Sequence, residues 1–194
     1  MVLVSGGAAA QARSSTTQKM KIMKFTQVAF VAAALAFALP ARADTMSVPT
    51  KEAPAYTLDV PSSWKPKANV EDESVEATAP GDHAYLSAWI SKSSEKNAKE
   101  SFIKDLEATL KDSLKSIDAG TKEEKFVANG VEMSIMKGSG VDKRAGNKVK
   151  FQVAMFSAGA DKIGIVYIDW DNDAPKDTMD AIQGIMKSIK ASKK

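Results

Sequence analysis

The sequence predicts an α+β fold: a mainly antiparallel sheet covered by helices, arranged as a three-layer α/β/α sandwich. Three observations carry this. Ile163 to Ile168 (IGIVYI) is apolar on both parities, so that strand needs a cover on each face and belongs in the middle of a sheet. Two segments, Ser94 to Ile117 and Ala174 to Lys190, repeat apolar residues at three- and four-residue steps, as helices with one buried stripe do. The remaining strands follow one another through short turns, which favours antiparallel pairing of neighbours.

The first 43 residues stand outside that fold. Lys21 and Lys24 precede an unbroken apolar run of 12 residues, Val28 to Leu39, and Pro40 breaks it before Ala41-Arg42-Ala43. Basic, apolar and small-residue zones in that order describe a secretory signal peptide cleaved between Ala43 and Asp44, with translation starting at Met20 or Met23. A membrane-spanning helix needs about 20 apolar residues. The expectation is a periplasmic protein with no membrane span in the mature chain. Five Lys and Arg but no Asp or Glu precede Asp44, so the precursor's +3 becomes 22 basic against 24 acidic residues, a net −2. No basic stripe survives to bind nucleic acid. The chain has no cysteine, so packing alone must hold it in an oxidising compartment.

In chain order, 44–54 reads as a flexible or edge-hugging lead-in, polar and with two prolines. A single domain, 55–190, follows, and 191–194 reads as a tail. Tyr56 to Val60 alternates and stops at Pro61, a first strand whose turn delivers Trp64 as a lid on the core. Glu71-Asp72-Glu73 is a solvated loop. Val75 to Thr78 and Ala84 to Ile90 form a hairpin around Pro80-Gly81-Asp82. Ser93-Ser94-Glu95 opens the long helix, Phe102, Ile103, Leu106, Leu110, Leu114 and Ile117 make its buried stripe, and Asp118-Ala119-Gly120 stops it. Lys125 to Ala128 and Val131 to Met136 flank Asn129-Gly130, the pair that suits the positive φ angles of a type I′ turn. Gly138 to Gly146 reads as a connection, with Lys143-Arg144 exposed in it. Val149 to Met155 alternates, Ser157 to Asp161 turns, and the two-face strand leads through an acidic link into the final helix.

A chain that opens YTLDVPSSW, carries one long helix, passes through an Asn-Gly hairpin and two long strands, and closes on a helix ending Ile185-Met186-Lys187-Ser188-Ile189-Lys190 resembles the PsbP-like superfamily. The resemblance covers nearly all of Tyr56 to Lys190 and rests on core positions and turns. It implies a non-catalytic binding or assembly module that engages another periplasmic or envelope protein, or a small ligand, without a cofactor. Fold alone does not choose the partner.

Hydrolytic and metal chemistries fare poorly on residue inventory. His83 is the single histidine, beside a turn, and lacks a recognisable nucleophile constellation. Zinc sites of Cys and His are excluded by the same inventory. A two-carboxylate hydrolase stays open, because carboxylate separation in space cannot be read from sequence. Asp169, Asp171, Asp173, Asp177 and Asp180 fall at oxygen-ligand positions 1, 3, 5, 9 and 12 of a calcium loop. Ala174 replaces the turn glycine, Asp180 is shorter than the usual glutamate, and a strand rather than a helix precedes. The expectation is therefore structural: Asp173 caps the final helix, Pro175 lies in its first turn, and Asp177 favours its dipole.

Overall fold

The computed structural model describes residues 42–92, 98–118, 122–159 and 161–192. The leader up to residue 41, the expected helix opening Ser93-Ser94-Glu95, the side chains of Phe102 and Ile103, and the stop at Ala119-Gly120 lie outside the described residues. The described chain is an α+β fold, mostly antiparallel sheet with two helices. Its elements are β1 (Ala43–Val48), β2 (Tyr56–Pro61), β3 (Lys67–Asn69), β4 (Ser74–Thr78), β5 (Ala84–Lys92), α1 (Ala98–Ser113), β6 (Leu114–Ile117), β7 (Lys122–Ala128), β8 (Val131–Asp142), β9 (Lys148–Ser157), β10 (Lys162–Asp171), α2 (Lys176–Ser188) and β11 (Lys190–Ala191).

The large sheet runs β3-β4-β5-β10-β9-β8-β6, with β7 beside the first half of β8, and all its pairs are antiparallel. β10 is its middle strand, as its two-sided apolar run requires. Ile165 and Val166 are both fully buried, in separate cores. Ile165 and Tyr167 pack with Leu110 of α1 and with Phe151 and Val153 of β9. Val166 and Ile168 pack with Ile182, Ile185 and Met186 of α2 and with Tyr56, Leu58 and Trp64. Trp64, buried to 2 % exposure, is the expected core lid.

A second sheet, β1-β2-β11, contributes to the α2 core. Its Tyr56 ring meets Phe156 edge to face at 4.9 Å, and its hydroxyl donates to the carbonyls of Ile165 (2.9 Å) and Trp89 (3.1 Å). Gly164 permits that approach: a Cβ there would collide with the Phe156 ring.

Of the two forms expected for the lead-in, flexible or edge-hugging, it takes the second: Asp44 to Val48 pair with Val60 to Tyr56 as an edge strand of the small sheet. Several expectations need correction. The long helix ends at Ser113. Leu114 to Ile117 instead pair with the otherwise open second half of β8, leaving Ile117 45 % exposed. Apolar spacing alone could not separate these, since Leu114 fits a helix stripe and a strand face equally well. Gly138-Ser139-Gly140 is not a connection either. β8 runs straight through it because Gly138 makes room for the Phe151 ring and Gly140 for the Ser116 carbonyl. The tail's Ala191 pairs with Tyr56, and Ser192 N–H donates to Ala55 O. The Asn-Gly turn is as expected, with φ of 50° and 77° and Ala128 paired to Val131.

Candidate functional site

The residues that converge most densely lie where β10 leaves the large sheet. The 3-10 turn Pro80–Asp82 between β4 and β5 delivers His83, the end of β10 brings Asp169 and Asp171, and the β8–β9 turn brings Asp142 and Arg144. Between them is a cleft of about 310 Å³ that also touches Thr78, Asp82 and Val149. A neighbouring cleft of about 620 Å³ shares Thr78 and Asp82 and continues along Trp64, Lys65, Glu76 and Tyr85. Lys65 and Asp82 both hold positive φ, 51° and 58°, a conformation costly for non-glycine residues.

Asp142 organises the turn. Its Oδ1 accepts the backbone N–H groups of Arg144 (2.8 Å) and Ala145 (2.7 Å), and its Oδ2 accepts Arg144 Nε and Nη2 at 3.3 Å each. Arg144 Nη2 also stands 3.8 Å from Asp169 Oδ1, and the guanidinium lies 4.7 Å over the Tyr85 ring. Asp169 is 2 % exposed and accepts the Tyr167 hydroxyl at 2.8 Å. Burial pushes its carboxyl up to about 6, against the opposing pull of the Tyr167 hydrogen bond and the Arg144 charge. Burial, with the Asp169 charge, raises the Tyr167 phenol as well. Asp171 Oδ2 meets His83 Nδ1 at 3.2 Å, and Asp171 N–H donates to His83 O, pinning the turn to the strand.

The carboxylates that fall at calcium-loop positions in the sequence diverge in the fold. Asp169 faces the buried network, Asp171 faces His83, Asp180 is paired with Lys176, and Asp173 is exposed. Among the described residues no group of three His, Cys, Asp or Glu side chains could hold a metal ion. Asp173 does not cap α2. Pro175 occupies the N-cap position, the helix starts at Lys176, and Asp177 Oδ1 accepts Thr178 N–H at 2.9 Å in the first turn. An Asn-Asp pair just before Ala-Pro suggested a cap, but Asn172 and Asp173 are used in the turn that bends the chain off β10.

Arg144 is exposed in a turn, as its sequence context predicts, and His83 is half-buried beside one. Both have partners far along the chain, and the available local signal was Asp142-Lys-Arg, the two-residue spacing that lets an aspartate take the backbone of its own turn. Of the expected cleavage site, Ala43 pairs with Pro61 and Asp44 with Val60, inside β1. Among the described residues no helix is long and apolar enough to cross a membrane.

No protein-family model and no curated protein sequence matches the chain. Solved structures with partial likeness include a Bacteroides thetaiotaomicron protein at 11 % identity and TM-score 0.47, covering 73 % of this chain, which spans about half (47 %) of that one. Another is the Pseudomonas aeruginosa protein PA94, described as of unknown function, at 11 % identity and TM-score 0.45, with 79 % of this chain and 99 % of that one covered.

Proposed function

We propose that this chain is an exported, periplasmic binding or assembly module without catalysis, built as a three-layer α/β/α sandwich of the PsbP-like kind. One observation carries the non-catalytic reading: of the four carboxylates that line the cleft, all but the exposed Asp82 are already engaged. Asp142 accepts four protein donors, Asp169 is buried against Tyr167 and Arg144, and Asp171 holds His83. A general base or nucleophile needs an oxygen that can reach substrate. These serve as ties between turns and the sheet instead. The sandwich reading is supported by the two cores on opposite faces of β10, one sharing residues with each helix.

A second reading, a carboxylate hydrolase, draws on the Asp169 carboxyl at about 6 beside a cleft. Ester, phosphoester and glycoside substrates offered to the purified protein separate the two. No turnover is expected, and turnover abolished in Asp169→Asn would establish the hydrolase. Export is tested by intact-mass measurement on periplasmic extract, where a chain beginning at Asp44 is expected and a retained leader would refute it.

A further inference from the structure

A third concavity lies between α2 and strands β7 to β10. It encloses about 370 Å³, within the range of small-ligand sites. Its walls are apolar: Phe126, Ile135, Trp170, Met179, Ile182 and Met186. Two of these are methionines, whose unbranched side chains adapt to ligands of varied shape.

Gln152 departs from that character. It stands on β9 opposite Ile168 and Lys137, on the face that carries the α2 core, and is only 8 % exposed. Its amide lines the concavity, yet it makes no side-chain hydrogen bond to any described residue. The fully enclosed unpartnered side-chain groups among the described residues are the Ser62 and Ser91 hydroxyls, so the Gln152 amide is reachable from the groove and can offer a hydrogen bond to a polar group that enters it. The rim has a definite sign. Lys125, Lys137 and Lys187 border it against one carboxylate, Glu124, which Lys137 already binds at 2.5 Å. Lys187 forms no ion pair with a described residue. A strand-like peptide is a poorer occupant: β7, the adjacent edge, presents Lys122-Glu123-Glu124-Lys125 in succession, a pattern that blocks strand addition.

We infer that this groove binds an anionic amphiphile with a single apolar chain, such as a fatty carboxylate, its tail against Phe126, Trp170 and the two methionines and its head between Gln152 and the lysine rim. This ligand assignment rests on the reading of the chain as a binding module, and the two fail separately: substrate turnover overturns that reading, and absence of amphiphile binding overturns this one.

The test is calorimetric titration of the full chain with laurate below its micelle concentration, alongside dodecanol and dodecylamine, with methionine methyl NMR to locate the site. The expected result is saturable one-to-one binding of laurate that shifts Met179 and Met186, about tenfold tighter than either other head group. Gln152→Leu and the surface change Lys187→Glu should each weaken laurate several-fold, on the order of one charge-assisted hydrogen bond. Lys187 is exposed, so its variant keeps the test valid should Gln152→Leu misfold. Equal affinity for the three head groups, methyl shifts outside the groove, binding of an acidic apolar peptide in place of laurate, or no saturable binding would each overturn the assignment.

Discussion

Asp169 shows how one side chain can be misread from its neighbours in sequence. In the string Asp169-Trp170-Asp171-Asn172-Asp173 it looks like one of several equivalent surface carboxylates. In the fold it alone is buried: Asp169 and Asp171 share a strand face with Tyr167, but Asp169 lies one pair further into β10 and accepts the Tyr167 hydroxyl, while Asp171 ends the strand and reaches His83. Arg144, 25 positions earlier, could not be paired with it before the β8–β9 turn was known to sit at the end of β10. The raised carboxyl has a stability consequence. Its folded value, about 6, lies above the ordinary 3.8, so the fold binds a proton more readily than the unfolded chain does. The stabilising contribution is complete below about pH 4 and is lost as pH rises through 6. Between pH 4 and 7 the protein should lose up to about 3 kcal/mol relative to Asp169→Asn, which has no titrating group there. Denaturant unfolding of both at several pH values measures it, and parallel stability profiles would show that Asp169 stays ionised in the fold.

At the scale of elements, strands whose patterning is strong were legible and those made by pairing alone were not. β5, β9 and β10 carry their own alternation or two-sided apolarity. β1, β3, β6 and β11 are short or polar, and are held by a neighbour's open edge. The β7–β8 turn illustrates a link that local chemistry foretold only in half. Asn129 and Gly130 have the positive φ their turn needs, and the Asn129 side chain also donates to Lys187 O (2.7 Å) and Ile189 O (3.1 Å), closing the C-terminal end of α2. Asn129→Gly keeps the turn and removes both bonds, at about 0.5–1.5 kcal/mol each. Gly130→Ala meets no atom within 4 Å and suffers only backbone strain, about 1–2 kcal/mol. Both should destabilise, but only Asn129→Gly should speed amide exchange in the last turn of α2. Unchanged exchange there would mean that the hairpin tip does not hold the helix.

For the whole molecule, the decisive feature is that β10 divides two apolar cores, and its sequence already demanded this. What remained hidden was the make-up of each cover. On one side α2 shares its core with strands β1 and β2, since Val48, Leu58 and Val60 are fully buried there. On the other, Leu110 and Leu114 join Phe151, Val153 and Tyr167 in a smaller set of described residues. Truncation at the dividing strand tests both covers at once. Ile165→Ala leaves a cavity beside Leu110 and should cost about 2–5 kcal/mol. Val166→Ala leaves one beside Ile182 and Ile185 and should cost more than about 1 kcal/mol. Because the side chains point to opposite faces, the double variant should lose close to the sum of the two single losses. A neutral effect at Ile165 would mean that α1 leaves that face open in solution, and a neutral effect at Val166 would mean the same of α2 and the small sheet. Either result would turn a covered face of the sheet into a surface free for a partner.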